Sequence, residues 1–282
     1  MIKTKRNYKD RLFCKLFGDA DYIENTLSLY NALCGTSYND INQVIMYTLE
    51  DVVYIGMKND VAILLDSYLS VWEQQSSFNP NMPIRGLMYY GRMYDRYIQE
   101  NKLNLYGEKL IKLPTPRYTV FYNGKKVQAP FQKLRLSDAF IKPINPGDFE
   151  WTADMINLNK GCNDSLLEKC RPLAEYMTFV NAVNDLLKTM PIEKAIDAAV
   201  EICIKNGILK KFLLKNKAEV KNMCITEFNE EVFINGIREE GLEQGQNLIV
   251  DTIHRLKNGE SAEDIINSGI DKTTVELALT CI

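Results

Sequence analysis

Two carboxylates occupy matching positions in one short segment of the chain. In KNDVAILLDSYLSVWEQQS, which covers residues 58–76, Asp60 precedes one apolar run and Glu73 ends the next. Asp66 and Ser67 separate the two runs, and equal lengths of chain lead from this dipeptide to each carboxylate. A β-hairpin that turns at this dipeptide would bring the Asp60 and Glu73 side chains next to each other.

Neighbouring carboxylates suit a hard divalent cation such as Mg²⁺ or Mn²⁺, which prefers oxygen ligands. We predict that Asp60, Glu73 and the main-chain carbonyl of Gln74 hold such an ion. A bound ion of this kind activates water and stabilises charge on a phosphodiester oxygen. Gln75 lies on the same strand face as Glu73, so we expect it to orient the attacking water or to contact a phosphate. The alternative is that the strand simply emerges into solvent at Glu73.

Four basic residues are candidates for contact with DNA. Arg85 follows the NPNMP turn near the start of a predicted helix, where it would either bind a phosphate or pair with an acidic neighbour. Lys58 precedes the acidic pair, and Lys125 and Lys126 follow an Asn-Gly turn. Exposed loop lysines often bind nothing specific, so for Lys125 and Lys126 both interpretations stay open.

Charge is distributed unevenly along the sequence. Residues 1–142 contain 19 Lys and Arg against 14 Asp and Glu, a net charge of +5. Residues 143–282 contain the remaining 15 and 23, a net charge of −8. A basic half can bind a polyanion such as DNA through counterion release, although a merely solvated face would give the same count.

The elements that must position these residues predict an α/β fold. Alternating and helical periodicities separate a mixed N-terminal part from a C-terminal part without a convincing strand, so we predict an α/β domain over 1–155 and a helical region over 156–282. The predicted helices cover 10–17, 21–33, 84–99, 165–188, 192–206, 217–230, 230–257, 261–268 and 272–280, and the predicted strands 42–49, 52–57, 61–65, 68–75, 118–122 and 131–136.

Composition excludes several other classes of protein. Apolar residues make up 46% of the chain and charged residues 25%, as in globular proteins. No apolar run approaches the roughly 20 residues that span a bilayer, and no secretory signal is recognisable, so we expect a cytoplasmic protein without a membrane partner. Seven cysteines form no C-x-x-C pair and His254 is the single histidine, which argues against a zinc site.

Several blocks of the sequence also resemble a known family in the same order. The blocks are YKDRLFCKLFGD (8–19), KNDVAILLDSYLSVWEQQSSFNPNMPIR (58–85), LPTPRYTVFYNG (113–124), LSDAF (136–140) and IREEGLEQGQ (237–246). Together they resemble the Rpn family of recombination-promoting nucleases, a group also described as transposases, within the PD-(D/E)XK superfamily. The resemblance extends from Tyr8 to about Gly269.

The resemblance implies a restriction-endonuclease-like core, a mixed central sheet flanked by helices, that cleaves DNA with a metal. Asp60 takes the position of the motif aspartate and Glu73 that of the strand glutamate. Gln75 stands where the superfamily usually has lysine, and Asp10 on the first helix is an additional acidic candidate. Two departures are Asn59 in place of proline and glutamine at position 74, where close relatives often have histidine.

The sequence therefore predicts a Mg²⁺- or Mn²⁺-dependent DNA endonuclease, acting in recombination, in a mobile element or in phage defence. Two alternatives stay open. One is an inactive nuclease fold that binds DNA or a protein. The other is an effector whose nuclease is restrained by the acidic C-terminal half until it is triggered. We also expect the C-terminal helices to serve packing or homo-oligomer formation rather than base recognition.

Overall fold

The computed structural model describes residues 8–47, 60–145 and 148–281, with the backbone alone for 226–240 and 243–244. These residues fall into two compact units, Met1–Ile225 and Thr226–Ile282. The division differs from the predicted boundary after residue 155. Helices of the 156–225 segment pack against the N-terminal helices, and this packing places them in the first unit.

The centre of the first unit is a mixed sheet, in which six strands are described. The order is β1-β2-β3-β4-β6-β5. Strands β3, β4 and β6 are parallel, and the β1–β2, β2–β3 and β5–β6 pairs are antiparallel. The strands cover Ile45–Met46 (β1), Val61–Leu65 (β2), Tyr68–Gln75 (β3), Thr115–Tyr122 (β4), Phe131–Arg135 (β5) and Thr152–Asn157 (β6).

The β2–β3 hairpin forms as the sequence predicted. Asp66 and Ser67 both have positive φ, 48° and 62°, as a two-residue turn of the I′ type requires. The Asp66 carboxylate accepts a hydrogen bond of 2.5 Å from the Tyr38 hydroxyl, which fixes the turn. Val61 then pairs with Trp72, so the register brings Asp60 opposite Glu73.

Helices cover both faces of this sheet. The α-helices among the described residues are Tyr8–Phe17 (α1), Ile23–Cys34 (α2), Met82–Glu100 (α3), Asp164–Lys169 (α4), Arg171–Leu186 (α5), Ile192–Lys205 (α6), Lys210–Lys257 (α7), Ala262–Asn267 (α8) and Lys272–Leu279 (α9). Tyr89 and Tyr90 of α3 pack on one face against Tyr118 and neighbouring residues of β4. On the opposite face, Phe13 of α1 contacts Phe121, with ring centroids 5.3 Å apart.

The unit Thr226–Ile282 contains helical structure throughout most of its length. The helices predicted over 217–230 and 230–257 form one helix, α7, in which Asn216 has non-helical backbone angles. Ser261 and Asp271 cap α8 and α9 by accepting hydrogen bonds from backbone amides, and Ile265 and Val275 are buried. Among the described residues, no helix is both long enough and apolar enough to cross a bilayer.

Strand β6 is the element that the sequence did not reveal. Its sequence, TADMIN, is short and contains Asp and Asn, which are uncommon in strands. Its parallel pairing with β4 and antiparallel pairing with β5 supply the hydrogen bonds that local propensity does not predict. The predicted strands over 52–57 and part of 42–49 lie outside the described residues.

Candidate functional site

Asp60 and Glu73 are both buried at the edge of the sheet that is formed by strand ends, here the amino end of β2 and the carboxyl end of β3. Asp60 is 5% exposed and Glu73 is 2% exposed. Glu73 lies near the carboxyl end of β3, and Asp60 immediately precedes β2. This burial excludes the alternative in which the strand simply emerges into solvent at Glu73.

Three side chains hold the Glu73 carboxylate. Arg85, from the first turns of α3, places its guanidinium Nη2 2.6 Å from Oε1. Gln75 donates a second hydrogen bond to Oε1, at 2.5 Å, and the Tyr118 hydroxyl donates one of 2.5 Å to Oε2. Arg85 therefore pairs with an acidic neighbour, the second of its two predicted roles. Gln75 directs its amide at Glu73, on the strand face that the sequence predicted.

Tyr118 was not recognised from the sequence. Its only signal is that β4 alternates, so that Tyr118, Val120 and Tyr122 share the face of the sheet that carries Glu73. Gly86 makes the contact with α3 possible, because a Cβ at this position would lie 2.5 Å from two ring carbons of Tyr118. The dipeptide Arg85-Gly86 thus supplies both a cation and the space for a hydroxyl donor.

The buried carboxylates share an unfavourable electrostatic environment. Burial and the nearby charge of Glu73 raise the pKa of Asp60 well above its usual range, and Arg85 only partly opposes them. Burial also raises the pKa of Glu73, against the lowering effects of Arg85, Tyr118 and Gln75. Asp60 is thus the less compensated of the two carboxylates.

Helix α1 brings a third carboxylate, that of Asp10, close enough to act on Asp60. Asp10 adds to the electrostatic repulsion that raises the pKa of Asp60. Asp10 and Cys14 lie one turn apart on one side of α1, and Gly18 follows on the same side just past the helix end, where its backbone amide donates to the Cys14 carbonyl oxygen. A Cβ at Gly18 would meet the Val61 side chain at 3.1 Å, so this side of the helix approaches the start of β2. Burial, followed by Asp10, raises the pKa of the Cys14 thiol, which disfavours a reactive thiolate.

Gln74 lies on the opposite face of β3 from Glu73. Its side-chain amide donates a 2.8 Å hydrogen bond to Oδ1 of the buried Asn123. The Asn123 backbone amide in turn donates to the Gln75 carbonyl oxygen at 3.1 Å. Lys9 of α1 reaches the same Asn123, with its Nζ 3.4 Å from Oδ1. These contacts join the ends of β3 and β4 behind the acidic pair, an arrangement for which the sequence offers only the Asn-Gly turn signal.

The predicted basic residues differ in how well the structure places them. Lys125 and Lys126 are exposed just beyond the end of β4, at the same edge of the sheet as Glu73. A Cβ at the intervening Gly124 would lie 2.3 Å from the Ser76 carbonyl oxygen, so the two strand ends approach closely there. Lys58 lies outside the described residues.

The donor set fits a hard divalent cation in chemistry and in charge. Asp60 and Glu73 supply two neighbouring carboxylates, Asp10 is close enough to raise the pKa of Asp60, and Arg85 forms an ion pair with Glu73. A divalent ion would offset the remaining negative charge. In the described part of the chain, however, no group of three or more Asp, Glu, His or Cys side chains already converges on a metal position. The Glu73 carboxylate is already in contact with Arg85, Gln75 and Tyr118, so an ion that binds it would compete with these donors.

Comparisons with known proteins identify no relative of this chain. Neither the protein-family models nor the curated proteins nor the solved structures contain a match to the chain. The functional argument therefore depends on the residues and contacts described above.

Proposed function

We propose that this chain is a metal-dependent DNA endonuclease of the PD-(D/E)XK type, related to the recombination-promoting nucleases that its sequence resembles. The observation that carries the proposal is the buried pair Asp60 and Glu73, brought together by the β2–β3 hairpin at the edge of a mixed sheet. Buried carboxylates with raised pKa values in such a place are typical of functional sites.

The topology of the first unit supports the assignment to this superfamily. The resemblance implied a mixed central sheet flanked by helices, and the sheet has this form, with helices on both faces. Glu73 and Gln75 occupy one face of β3 near its carboxyl end, and Asp60 comes from the antiparallel neighbour. The aspartate and the E-x-Q element therefore lie on two adjacent strands of the hairpin.

Each residue of the site has a role in this proposal. Asp60, Glu73 and the Gln74 carbonyl would hold Mg²⁺ or Mn²⁺, with Asp10 as an additional acidic group. When bound, the ion supplies Lewis acidity and lowers the pKa of water. Gln75 would orient the attacking water or contact a phosphate beside the Glu73 carboxylate, to which it already donates a hydrogen bond.

DNA is the substrate that the charges of this edge favour. Lys125 and Lys126 are exposed just beyond the end of β4, the strand that pairs with β3, and phosphate contacts by lysine do not depend on base sequence. We therefore propose cleavage with little sequence specificity. The role of Lys58, the formation of a homo-oligomer through the C-terminal helices and the cytoplasmic location stay predictions.

The test is nicking of supercoiled plasmid by the purified full chain in Mg²⁺, in Mn²⁺ or in EDTA. We expect metal-dependent nicking that falls by at least about 100-fold in Asp60→Asn and in Glu73→Gln, because each variant loses a charged metal ligand. Asp138→Asn, which changes an exposed carboxylate elsewhere in the unit, is the matched control and should nick at the wild-type rate. Full activity in both site variants would refute the proposal.

One observation favours a second candidate, an inactive nuclease fold that binds DNA or a protein. All three donors to Glu73 are protein side chains, so the carboxylate is already satisfied. In this case the chain would bind plasmid in EDTA as tightly as in Mg²⁺ and would nick no substrate. Gel-shift and nicking assays on the same preparation separate the two candidates.

A further inference from the structure

We propose that Arg85 is a displaceable cation that competes with the metal for Glu73 and then binds the phosphate of the substrate. The proposal rests on the proposed function, because it concerns the same acidic pair. Its basis is the 2.6 Å contact between the Arg85 guanidinium and Glu73 Oε1. A carboxylate oxygen held in this way cannot also bind a divalent cation closely, because the guanidinium and the ion would occupy the same space and repel each other.

Of the three donors to Glu73, Arg85 is the one whose side chain can most easily move away from the carboxylate. Tyr118 is a core residue, packed among the tyrosines of α3 and confined by Gly86. Gln75 is two residues from Glu73 on the same strand and carries no charge. The Arg85 side chain, in contrast, is 26% exposed although its partner Glu73 is only 3% exposed. A long, partly exposed side chain can move outward with less disturbance of the core than a buried ring such as that of Tyr118.

The electrostatics of the edge favour such an exchange. Arg85 pairs with Glu73, and Asp60 lies opposite Glu73 on the neighbouring strand, so one guanidinium serves two neighbouring carboxylates. Exchange of this single positive charge for a divalent ion brings the site closer to neutrality. Arg85 thus holds the Glu73 carboxylate in position while no metal is bound.

A released guanidinium at this position is suited to a phosphodiester. Arginine binds phosphate through two parallel hydrogen bonds and keeps its charge at any physiological pH. Arg85 begins beside the metal ligand Glu73, at the edge where Lys125 and Lys126 are exposed. The scissile phosphate is the anion that must approach this same ligand. Arg85 therefore has two partners in succession, first Glu73 and then the substrate.

The test measures Mn²⁺ binding by electron paramagnetic resonance of the free ion, and plasmid nicking at saturating Mn²⁺. Arg85→Gln removes the charge but keeps a hydrogen-bond donor for Glu73, so the fold is preserved, and Arg85→Lys keeps the charge. We expect Arg85→Gln to bind Mn²⁺ roughly tenfold more tightly and yet to nick about 100-fold more slowly. Arg85→Lys should bind Mn²⁺ within about threefold of the wild type, because the competing charge is kept. Arg96→Gln, a change at an exposed ion pair on the same helix, should leave both quantities unchanged.

Each contrary outcome has a separate meaning. Equal or weaker Mn²⁺ binding by Arg85→Gln overturns the competition, and tighter binding with undiminished nicking overturns the phosphate role. In both cases the wild-type chain still nicks plasmid, so the proposed function stands. A wild-type chain that neither binds Mn²⁺ nor nicks plasmid overturns the function and this inference together.

Discussion

Tyr118→Phe isolates one hydrogen bond to the buried Glu73 carboxylate. The Tyr118 hydroxyl donates to Oε2 at 2.5 Å, and the ring belongs to the core that packs against α3. Phenylalanine keeps the ring and its packing, so the substitution removes the hydroxyl alone. Glu73 is 2% exposed, and water does not readily replace the lost donor.

The expected loss of stability follows from the charge of the acceptor. A hydrogen bond to a charged group contributes about 1.5–3 kcal/mol, so we expect the variant to lose roughly 2 kcal/mol of unfolding free energy. In a domain of 150–250 residues each kcal/mol lowers Tm by about 2–4 °C, which predicts a decrease of roughly 4–8 °C. The bond favours ionised Glu73, and its contribution is therefore present above the pKa of Glu73 and diminishes as the pH falls through that value.

Thermal and urea unfolding in EDTA, at neutral and at acidic pH, measure this effect. Tyr97→Phe is the matched control on α3, because Tyr97 packs at the edge of the same core and its substitution should change stability by less than about 0.5 kcal/mol. If Tyr118→Phe unfolds at the temperature of this control, Tyr118 does not stabilise the Glu73 carboxylate. An equal decrease at both pH values would show that packing rather than the charged acceptor is responsible.

Two further substitutions test the charge and the packing of the site by thermal unfolding. The raised pKa of Asp60 means that the native state holds its proton more tightly than the unfolded chain, so ionisation costs stability as the pH rises from the unfolded pKa through the folded one. Asp60→Asn should therefore raise Tm in EDTA at neutral pH and have no such effect in acid, and a lower Tm at neutral pH would contradict this. Gly86→Ala should cost about 1–3 kcal/mol, because its Cβ would lie 2.5 Å from the Tyr118 ring, whereas Gly91→Ala on the same helix has open space and should gain up to about 1 kcal/mol. Equal shifts in the two alanine variants would show that Tyr118 does not confine α3 at Gly86.

The hairpin could be predicted because its information is local. Asp66 and Ser67 interrupt two β-type runs of matched length, and register then follows from counting outward to Asp60 and Glu73. These features depend on neighbouring residues, and no long-range contact had to be known.

The partners of Glu73 could not be predicted because they come from distant segments. Tyr118 is 45 residues away along the chain and reaches Oε2 only through the parallel pairing of β3 with β4. Strand β6 depends in the same way on its pairing with β4 and β5, since its own sequence is a weak strand former. The division after residue 225 also depends on long-range contacts, because helices that a sequence pattern assigns to a C-terminal region pack on the N-terminal ones.

Stability alone does not explain why this edge of the sheet buries its charges. Replacement of a buried ion pair by apolar residues of similar volume is often neutral or stabilising, so a gain in stability is a weak reason for a chain to keep Arg85 and Glu73 here. Asp60 is costlier still, since burial and Glu73 both oppose its ionisation. Natural chains tend to keep such costs where function requires them. Higher stability of Asp60→Asn together with lost plasmid nicking would show directly that stability is given up here for activity.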